Sequence, residues 1–537
     1  MGEWLVPPKP EEYTRYCPGE EQTRISDAVC LGRRRVNYQK CAGCQFNDDE
    51  RGTPSFTATV VGQWPRSTPA VITEREVEMI QEVFKAYDVR ATVPEPLSEE
   101  VAWRIGNATA QFLRTSLTGY DRSEPEMNRL IVGRDMRTTS FALSRAFIEG
   151  VAASGTPVVD IGMIDTSQIY FATNYLKCCG GVQTTASHNP ANYNGFKISG
   201  PNGKPIGVDS GLQEIARIAT ALAHHRVDKI ENMQTLDLSE PYRASLRKFL
   251  RPLRPLKVVV DASNGMAGRW LPIIFGGVKN LEVLPLNFEH NGTFVHPPNP
   301  LIPAHLKQLR EAVREHHADF GACFDGDADR CIFVDENAKS IGCDLLTALL
   351  AGEYLRDEPG ATIVYDLRSS RVVPETIKNL GGVPKRSRVG HVYMKRALGE
   401  ADGVFGGELS GHFYFRDFWY CDSAMLAFIA ILNVLTRSGQ SLSALLLPLQ
   451  KYASTGERNF VNEDKDGTFQ RIEEKYSDAK IDRLDGVTVQ YADWWFNVRP
   501  SNTEPLLRLN LEASTEKMVA EKLAELVPLL GQPAVEP

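Results

Sequence analysis

Three aspartates recur at alternate positions in Phe324-DGDADRCIFVDE: Asp325, Asp327 and Asp329. On an extended or looped backbone this spacing can converge carboxylate oxygens on a hard cation such as Mg²⁺. An EF-hand would also use Glu336 at its twelfth position, but its sixth position needs glycine and Arg330 stands there. Cys331-IFV reads as a strand, so the calcium loop fails. A divalent-cation site then competes with a solvated acidic turn.

Three other segments could carry chemistry. Thr184-TASHNPANYNGFK sets Ser187 among small and polar residues, with His188 beside it and Lys197 downstream. Ser187 could be a nucleophile or a phosphate carrier. It lacks the G-x-S-x-G elbow, since Thr185 and Asn189 occupy the glycine positions. Gly406-GELSGH places Glu408, Ser410 and His412 between glycines, groups that can bind sugar hydroxyls or exchange protons. Asn497-VRPSNTEP holds Arg499, Ser501, Asn502 and Thr503, a set that suits a phosphate dianion. Each segment alone also reads as a polar turn. Arg90 in Tyr87-DVR and Arg134 in Gly133-RD either join an anion site or form surface ion pairs. Trp494 and Trp495 read as core or interface. No Walker A loop is present, because Gly203-Lys204 runs into Pro205.

The elements that must position these groups alternate. Pro157-VVDIGMI, Leu256-KVVVDAS and Ala361-TIVYDL are β-branched runs of the kind found in strands buried on both faces. Helical patterns fall between them, as in Ser140-FALSRAFIEGVAAS and Ser210-GLQEIARIATALAHH. This order predicts α/β units with mostly parallel sheets. Thr73 with Glu76 predicts a capping box. Near the C-terminus, Leu507, Leu509 and Leu511 alternate with Arg508, Asn510 and Glu512, predicting a half-exposed strand. A helix with Val519, Leu523, Leu526 and Leu530 on one face follows, so the last unit is α+β.

With 537 residues the chain has room for three or four domains at roughly 150 residues each. Its 42% apolar and 24% charged residues exclude a disordered or fibrous chain. A formal charge of −8 argues against nucleic acid as partner. The richest apolar run, Ala424 to Leu435, is too short for a membrane span and is broken by Asn433. MGEWLVPPKPEEY has no signal-peptide pattern, so a cytoplasmic location is expected, with the ten cysteines as thiols or metal ligands. Cys17, Cys30, Cys41 and Cys44 fall in a Pro-rich N-terminal extension with little core, where a structural Zn²⁺ would act as a staple.

Taken together and in order, YDVR, TTASHNPANYNGFK, DGDADR, GELSGH and RPSNTEP resemble the α-D-phosphohexomutase superfamily over about Phe84 to Glu512. His391 in SRVGHVYMK, FRDFWYCDS, NGTFVHPPNPL and the SNTEP form of the last loop resemble its bacterial phosphomannomutase/phosphoglucomutase branch. Two departures stand out: Arg368 in DLRSSR where relatives carry a lysine, and Ala91 where a glycine usually follows YDVR.

The resemblance implies three α/β mixed-sheet domains and a C-terminal α+β domain of the TATA-binding-protein-like kind. The expected bounds are 1–75 for the extension and linker, 76–234 with the phosphoserine loop, 235–340 with the metal loop, 341–450 with the sugar loop and 451–537 with the phosphate loop. It implies a phosphorylated Ser187, and Mg²⁺ held by Asp325, Asp327, Asp329 and an oxygen of that phosphate. His188, Lys197, Arg90 and Arg330 would surround the transferred group, with Lys197, Arg90 or His412 moving protons. Glu408, Ser410, His412, His391 and Arg368 would contact the sugar, and Arg499, Ser501, Asn502 and Thr503 the other phosphate. The implied reaction interconverts hexose 1- and 6-phosphates, mannose or glucose, through a hexose 1,6-bisphosphate. Small hexose phosphates are the expected partners, with no nucleic acid or membrane and a monomeric or dimeric chain. A metal-dependent phosphatase and a non-catalytic sugar-phosphate binder are the competing readings.

Overall fold

The β-branched runs become the strands they predict. Val158–Met163, Leu256–Asp261 and Thr362–Asp366 each lie inside a sheet, and Val258, Val259 and Val260 are fully buried. Side chains of that size each contribute about 1.5–3 kcal/mol on burial. The computed structural model describes residues 15–16, 24–25, 72–115, 125–222, 230, 232–501 and 506–534. The chain forms two units, Met1–Thr68 and Pro69–Pro537. In the first, strands Arg15–Tyr16 and Arg24–Ile25 pair antiparallel. Cys17, Cys30, Cys41 and Cys44 lie outside the described residues.

The second unit is built on four sheets. The first has six strands, in the order Val89–Thr92, Tyr193–Ser199, Gly180–Thr184, Leu130–Arg134, Val158–Met163 and Met233–Thr235. Its last four strands are parallel and its first two antiparallel. The second orders Leu281–Leu286, Leu256–Asp261, Phe320–Phe324 and Cys331–Asp335, and only the last pairing is antiparallel. The third begins with parallel Val383–Ser387, Thr362–Asp366 and Phe405–Gly407, then adds antiparallel Phe413–Phe415 and Cys421–Asp422. The fourth is antiparallel throughout, centred on Trp494–Pro500 and Leu506–Ala513. Three α/β units and an α+β unit are therefore observed, as predicted.

Helix starts follow their caps. Glu74–Val83 opens on Thr73, with both halves of the Thr73–Glu76 capping box formed. The helix predicted from Ser210 begins at Leu212 instead, after a 3-10 turn and Gly211 at φ +146°. Ala424–Ser438 is almost wholly buried in the core shared by the second and third sheets. No single helix among the described residues is long and apolar enough to cross a membrane.

The strand Leu506–Ala513 departs from the half-exposed pattern. Asn510 and Glu512 are 6% and 4% exposed. Glu512 accepts hydrogen bonds from Trp495 Nε1 at 2.8 Å and from the Arg371 backbone at 3.0 Å. Through Arg371 the third domain meets this face at Glu512, so that glutamate is paired rather than wet.

Candidate active site

All four loops singled out in the sequence occupy one structural position. Each joins two adjacent antiparallel strands: Gly180–Thr184 to Tyr193–Ser199, Phe320–Phe324 to Cys331–Asp335, Phe405–Gly407 to Phe413–Phe415, and Trp494–Pro500 to Leu506–Ala513. Polar residues at these tips need no ladder partners of their own, so they are free to meet one another.

The first two loops interlock. Ser187, fully buried and at φ +50°, donates its hydroxyl to Asp325 Oδ2 at 2.7 Å. A left-handed backbone costs a serine roughly 1–2 kcal/mol, so the surroundings must hold it there. Arg137 does so from below, donating to the carbonyls of Ser187, Asn189, Pro190 and Tyr193 at 2.6 to 3.1 Å. Gly326 lets the aspartate loop approach: a Cβ there would meet the Ser187 carbonyl oxygen at 2.5 Å. His188 Nδ1 lies 3.3 Å from Ser187 Oγ. Arg90 donates to Asn189 Oδ1 at 2.8 Å and to Asp88.

Around the aspartates, Lys197 Nζ is 2.7 Å from Asp327 Oδ2 and also bonds Asp329. Thr166 donates through its hydroxyl to Asp327 Oδ2 at 2.5 Å and through its N–H to the Asp327 carbonyl at 3.0 Å. The third loop joins on: His412 Nε2 is 3.5 Å from Asp329 Oδ1 and 3.3 Å from Arg330 Nε. His412 Nδ1 meets Ser410 Oγ at 2.9 Å and Glu408 Oε2 at 3.3 Å. The His391 ring stands 6.1 Å from that of His412 and 5.8 Å from that of Tyr87. Glu408 faces Arg368 at 3.5 Å, Arg368 faces Glu457 at 3.6 Å, and Glu457 faces Arg499 at 2.6 Å. An unbroken chain of polar contacts thus runs from Ser187 to the Arg499 loop.

Models of the phosphoglucomutase/phosphomannomutase family match the chain in four consecutive pieces. These are α/β/α domain I at residues 81–226, domain II at 240–340, domain III at 343–452 and the C-terminal domain at 459–529. This chain belongs to the phosphoglucomutase/phosphomannomutase family. Phosphomannomutase of Escherichia coli is 37% identical over 462 residues, covering 83% of this chain and 98% of that protein. The phosphohexose mutases of Xanthomonas campestris are 38% identical over 452 residues, covering 82% and 96%. The crystal structure of a phosphoglucomutase/phosphomannomutase family protein from Burkholderia thailandensis superposes with a TM-score of 0.76 at 31% identity, covering 84% and 97%.

The acidic loop of this family member fits a metal ion. Oxygens of Asp325, Asp327 and Asp329 lie within 4.8 Å of one another, all buried. Asp327 Oδ1 has no hydrogen-bond partner among the described residues, and Asp329 Oδ1 meets His412 Nε2 at 3.5 Å. Buried carboxylate oxygens without donors are costly, and an all-oxygen set suits a hard cation.

The same crowding sets the charges. Burial and the neighbouring Asp327 and Asp329 push Asp325 well above the usual carboxylate range. Burial acts the same way on Asp329, but Lys197 and His412 overcome it and hold the group low. Burial pushes Lys197 down, yet Asp327, Asp329 and Asp325 outweigh it, so the ammonium keeps its proton. His412 is pushed down by burial and Arg330, but Asp329 and Glu408 win and hold it at about 9. His188 goes the other way, driven far down by burial with Arg330, Arg90 and Lys197 adding to it. His391 falls to about 3 through burial, with Lys395 adding to the shift.

Ser187, His188, Lys197, Arg90, Asp325, Asp327, Asp329, Arg330, Arg368, His391, Glu408, Ser410, His412, Arg499 and Ser501 thus form one network or border it, whereas Asn502 and Thr503 lie outside the described residues. Sequence reasoning missed Thr166, Arg137, Glu457 and Arg508. Arg508 had a signal, its place on the polar side of an alternating strand beside the phosphate loop. Thr166 and Arg137 carry no local motif, because their partners lie far along the chain.

Proposed function

We propose that this protein interconverts hexose 1-phosphate and hexose 6-phosphate, of mannose, glucose or both, by passing a phosphoryl group between Ser187 and the sugar. The observation that carries the reading is Ser187 itself: strained, buried, braced by Arg137, and 2.7 Å from the first aspartate of a cation-suited cluster. The domain bounds 76–234, 235–340, 341–450 and 451–537 give one loop to each domain, serving in turn as donor, metal site, sugar site and phosphate anchor.

In the resting enzyme Ser187 carries the phosphoryl group. A sugar hydroxyl oxygen attacks phosphorus, the Oγ–P bond breaks as the new O–P bond forms, and a hexose 1,6-bisphosphate results. The hydroxyl's proton ends on Ser187 Oγ. His188, kept neutral 3.3 Å from that oxygen, is suited to relay it, whereas Lys197 and His412 keep their protons and face the developing negative charge. Arg90 and Arg330 add positive charge around the transferred group. After the bisphosphate turns end over end, its other phosphoryl group returns to Ser187 and the proton moves back. Asp325, Asp327 and Asp329, with a phosphoserine oxygen, would hold Mg²⁺, which neutralises charge on the transferring group when bound.

Glu408, Ser410, His391 and Arg368 contact sugar hydroxyls in this reading, and Arg499, Ser501, Asn502 and Thr503 anchor the phosphate that is not reacting. Positioning and charge then supply most of the acceleration. Buried thiols at Cys323, Cys331, Cys343 and Cys421 fit a reducing, cytoplasmic setting. A Zn²⁺ held by Cys17, Cys30, Cys41 and Cys44 is part of the proposal and is checked by metal analysis of the purified chain. The function is tested by supplying mannose 1-phosphate or glucose 1-phosphate with Mg²⁺ and a trace of the 1,6-bisphosphate. Hexose 6-phosphate is expected; free phosphate as the sole product would make the protein a phosphatase.

A further inference from the structure

The phosphate anchor contains an anion of its own. Glu457 reaches into it from the strand Ala453–Val461, with its carboxylate 2.6 Å from Arg499 Nη2, 3.2 Å from Arg508 Nη1 and 3.6 Å from Arg368 Nη1. The aim of this side chain is built into the fold. Pairing with Leu506–Ala513 slips between Ser454 and Glu457, and Gly456 there adopts φ +64°. A β-bulge of this kind re-aims the next side chain, and the left-handed turn strains any residue but glycine.

Arg499 is only 5% exposed, and its Nε is buried without a hydrogen-bond partner among the described residues, so the guanidinium has capacity for an acceptor beyond Glu457. Burial pushes Glu457 up, but Arg499, Arg368 and Arg508 together hold it below the usual carboxylate range, so it stays anionic. A buried guanidinium stripped of every anion is costly. An enzyme whose intermediate must let go of the anchor, turn and bind again meets that cost in each cycle unless a second anion stands by.

We propose that Glu457 is the exchange anion of the phosphate anchor: it pairs Arg499 and Arg508 while the phosphate is away and gives them up when the phosphate returns. The inference rests on the mutase reading and deepens it. Glu457 is a positioning residue, acting through the two arginines rather than on the reacting atoms. It competes with the substrate phosphate, which lowers the affinity of the anchor and frees the bisphosphate to turn. A merely structural Glu457, holding Arg499 in place for the phosphate, has the opposite consequence, since its loss would weaken binding.

The test compares wild type with Glu457→Gln, which keeps the shape and removes the charge, using the full chain with Mg²⁺. Calorimetric binding of glucose 6-phosphate and of inorganic phosphate is expected to tighten on the order of tenfold in the Gln variant. KM and kcat are both expected to fall, because the intermediate is held too long. Glu457→Asp, which retracts the charge by one methylene, is expected to tighten binding less and serves alone if the Gln variant misfolds. Unchanged or weaker phosphate binding in the folded variants overturns the proposal while leaving the mutase reading intact. Failure of wild type to isomerise hexose phosphates overturns both.

Discussion

Ser187 Oγ and Asp325 Oδ2 are 138 residues apart in sequence and 2.7 Å apart in space. The contact joins the hairpin tips of two domains and sets a serine with a left-handed backbone against the first aspartate of the cluster. The Ser187 loop and the Asp325 loop are therefore in direct contact.

Removing the donor separates chemistry from binding. Ser187→Ala is expected to lower kcat by at least about a thousandfold while glucose 6-phosphate still binds in calorimetry. Ser187→Gly is expected to be as inactive but roughly 1 kcal/mol more stable than the alanine variant, because glycine relieves the positive φ. Equal urea midpoints for the two variants would show that the backbone is not strained.

The proposed cation would supply the partner that the buried Asp327 Oδ1 lacks among the described residues. Chelation with EDTA is expected to abolish turnover, and restored Mg²⁺ is expected to recover it and raise the melting temperature by a few degrees. Asp327→Asn is expected to lose both responses. An unchanged melting temperature across a Mg²⁺ titration would count against the aspartates as its ligands.

His412 makes stability depend on pH in a defined direction. Its folded value of about 9 lies above the ordinary 6.5, so its contribution is full below about pH 6.5 and disappears as the pH rises through about 9. The loss is up to about 3 kcal/mol for the metal-free protein. It should be smaller with Mg²⁺, because a cation competes for Asp329. Urea midpoints between pH 6 and 10 check this: wild type should fall relative to His412→Asn, and parallel curves would refute the assignment.

Arg137 is the brace on which Ser187 depends. It is fully buried with Asp135 at 3.3 Å and bonds four carbonyls of the donor loop. Arg137→Ala is expected to cost about 3–5 kcal/mol in urea unfolding, since it strands a buried carboxylate. Arg137→Lys keeps the charge with fewer donors, and a lower kcat with little change in KM is expected. A wild-type kcat in the lysine variant would show that the brace does not set the donor's geometry.

Much of this site is legible in the sequence because each loop concentrates unlike functional groups within a few residues, and because β-branched runs flank it. Asp325, Asp327 and Asp329 carry their chemistry in their spacing. Ser187 and Glu408 become specific only as members of an ordered set. What stays hidden depends on long-range pairing: Arg137 reads as one more arginine, and Thr166 as a helix start, until tertiary contacts bring the donor loop and Asp327 against them. Glu457 is hidden for a different reason, since a bulge at Gly456 changes which way its strand residues point and period-two reasoning cannot see it. The polar side of Leu506–Ala513 reads as a wet face because alternation reports polarity, whereas Glu512 is buried by the Trp495 and Arg371 groups that it pairs with.

The central claim is that Ser187 Oγ carries a phosphoryl group during turnover. Intact and peptide mass spectrometry after incubation with glucose 1,6-bisphosphate and Mg²⁺ addresses it directly. One phosphoryl group confined to the peptide containing Ser187, lost when hexose 1-phosphate is added, is expected. A chain that isomerises hexose phosphates yet never bears phosphate at that residue would contradict it.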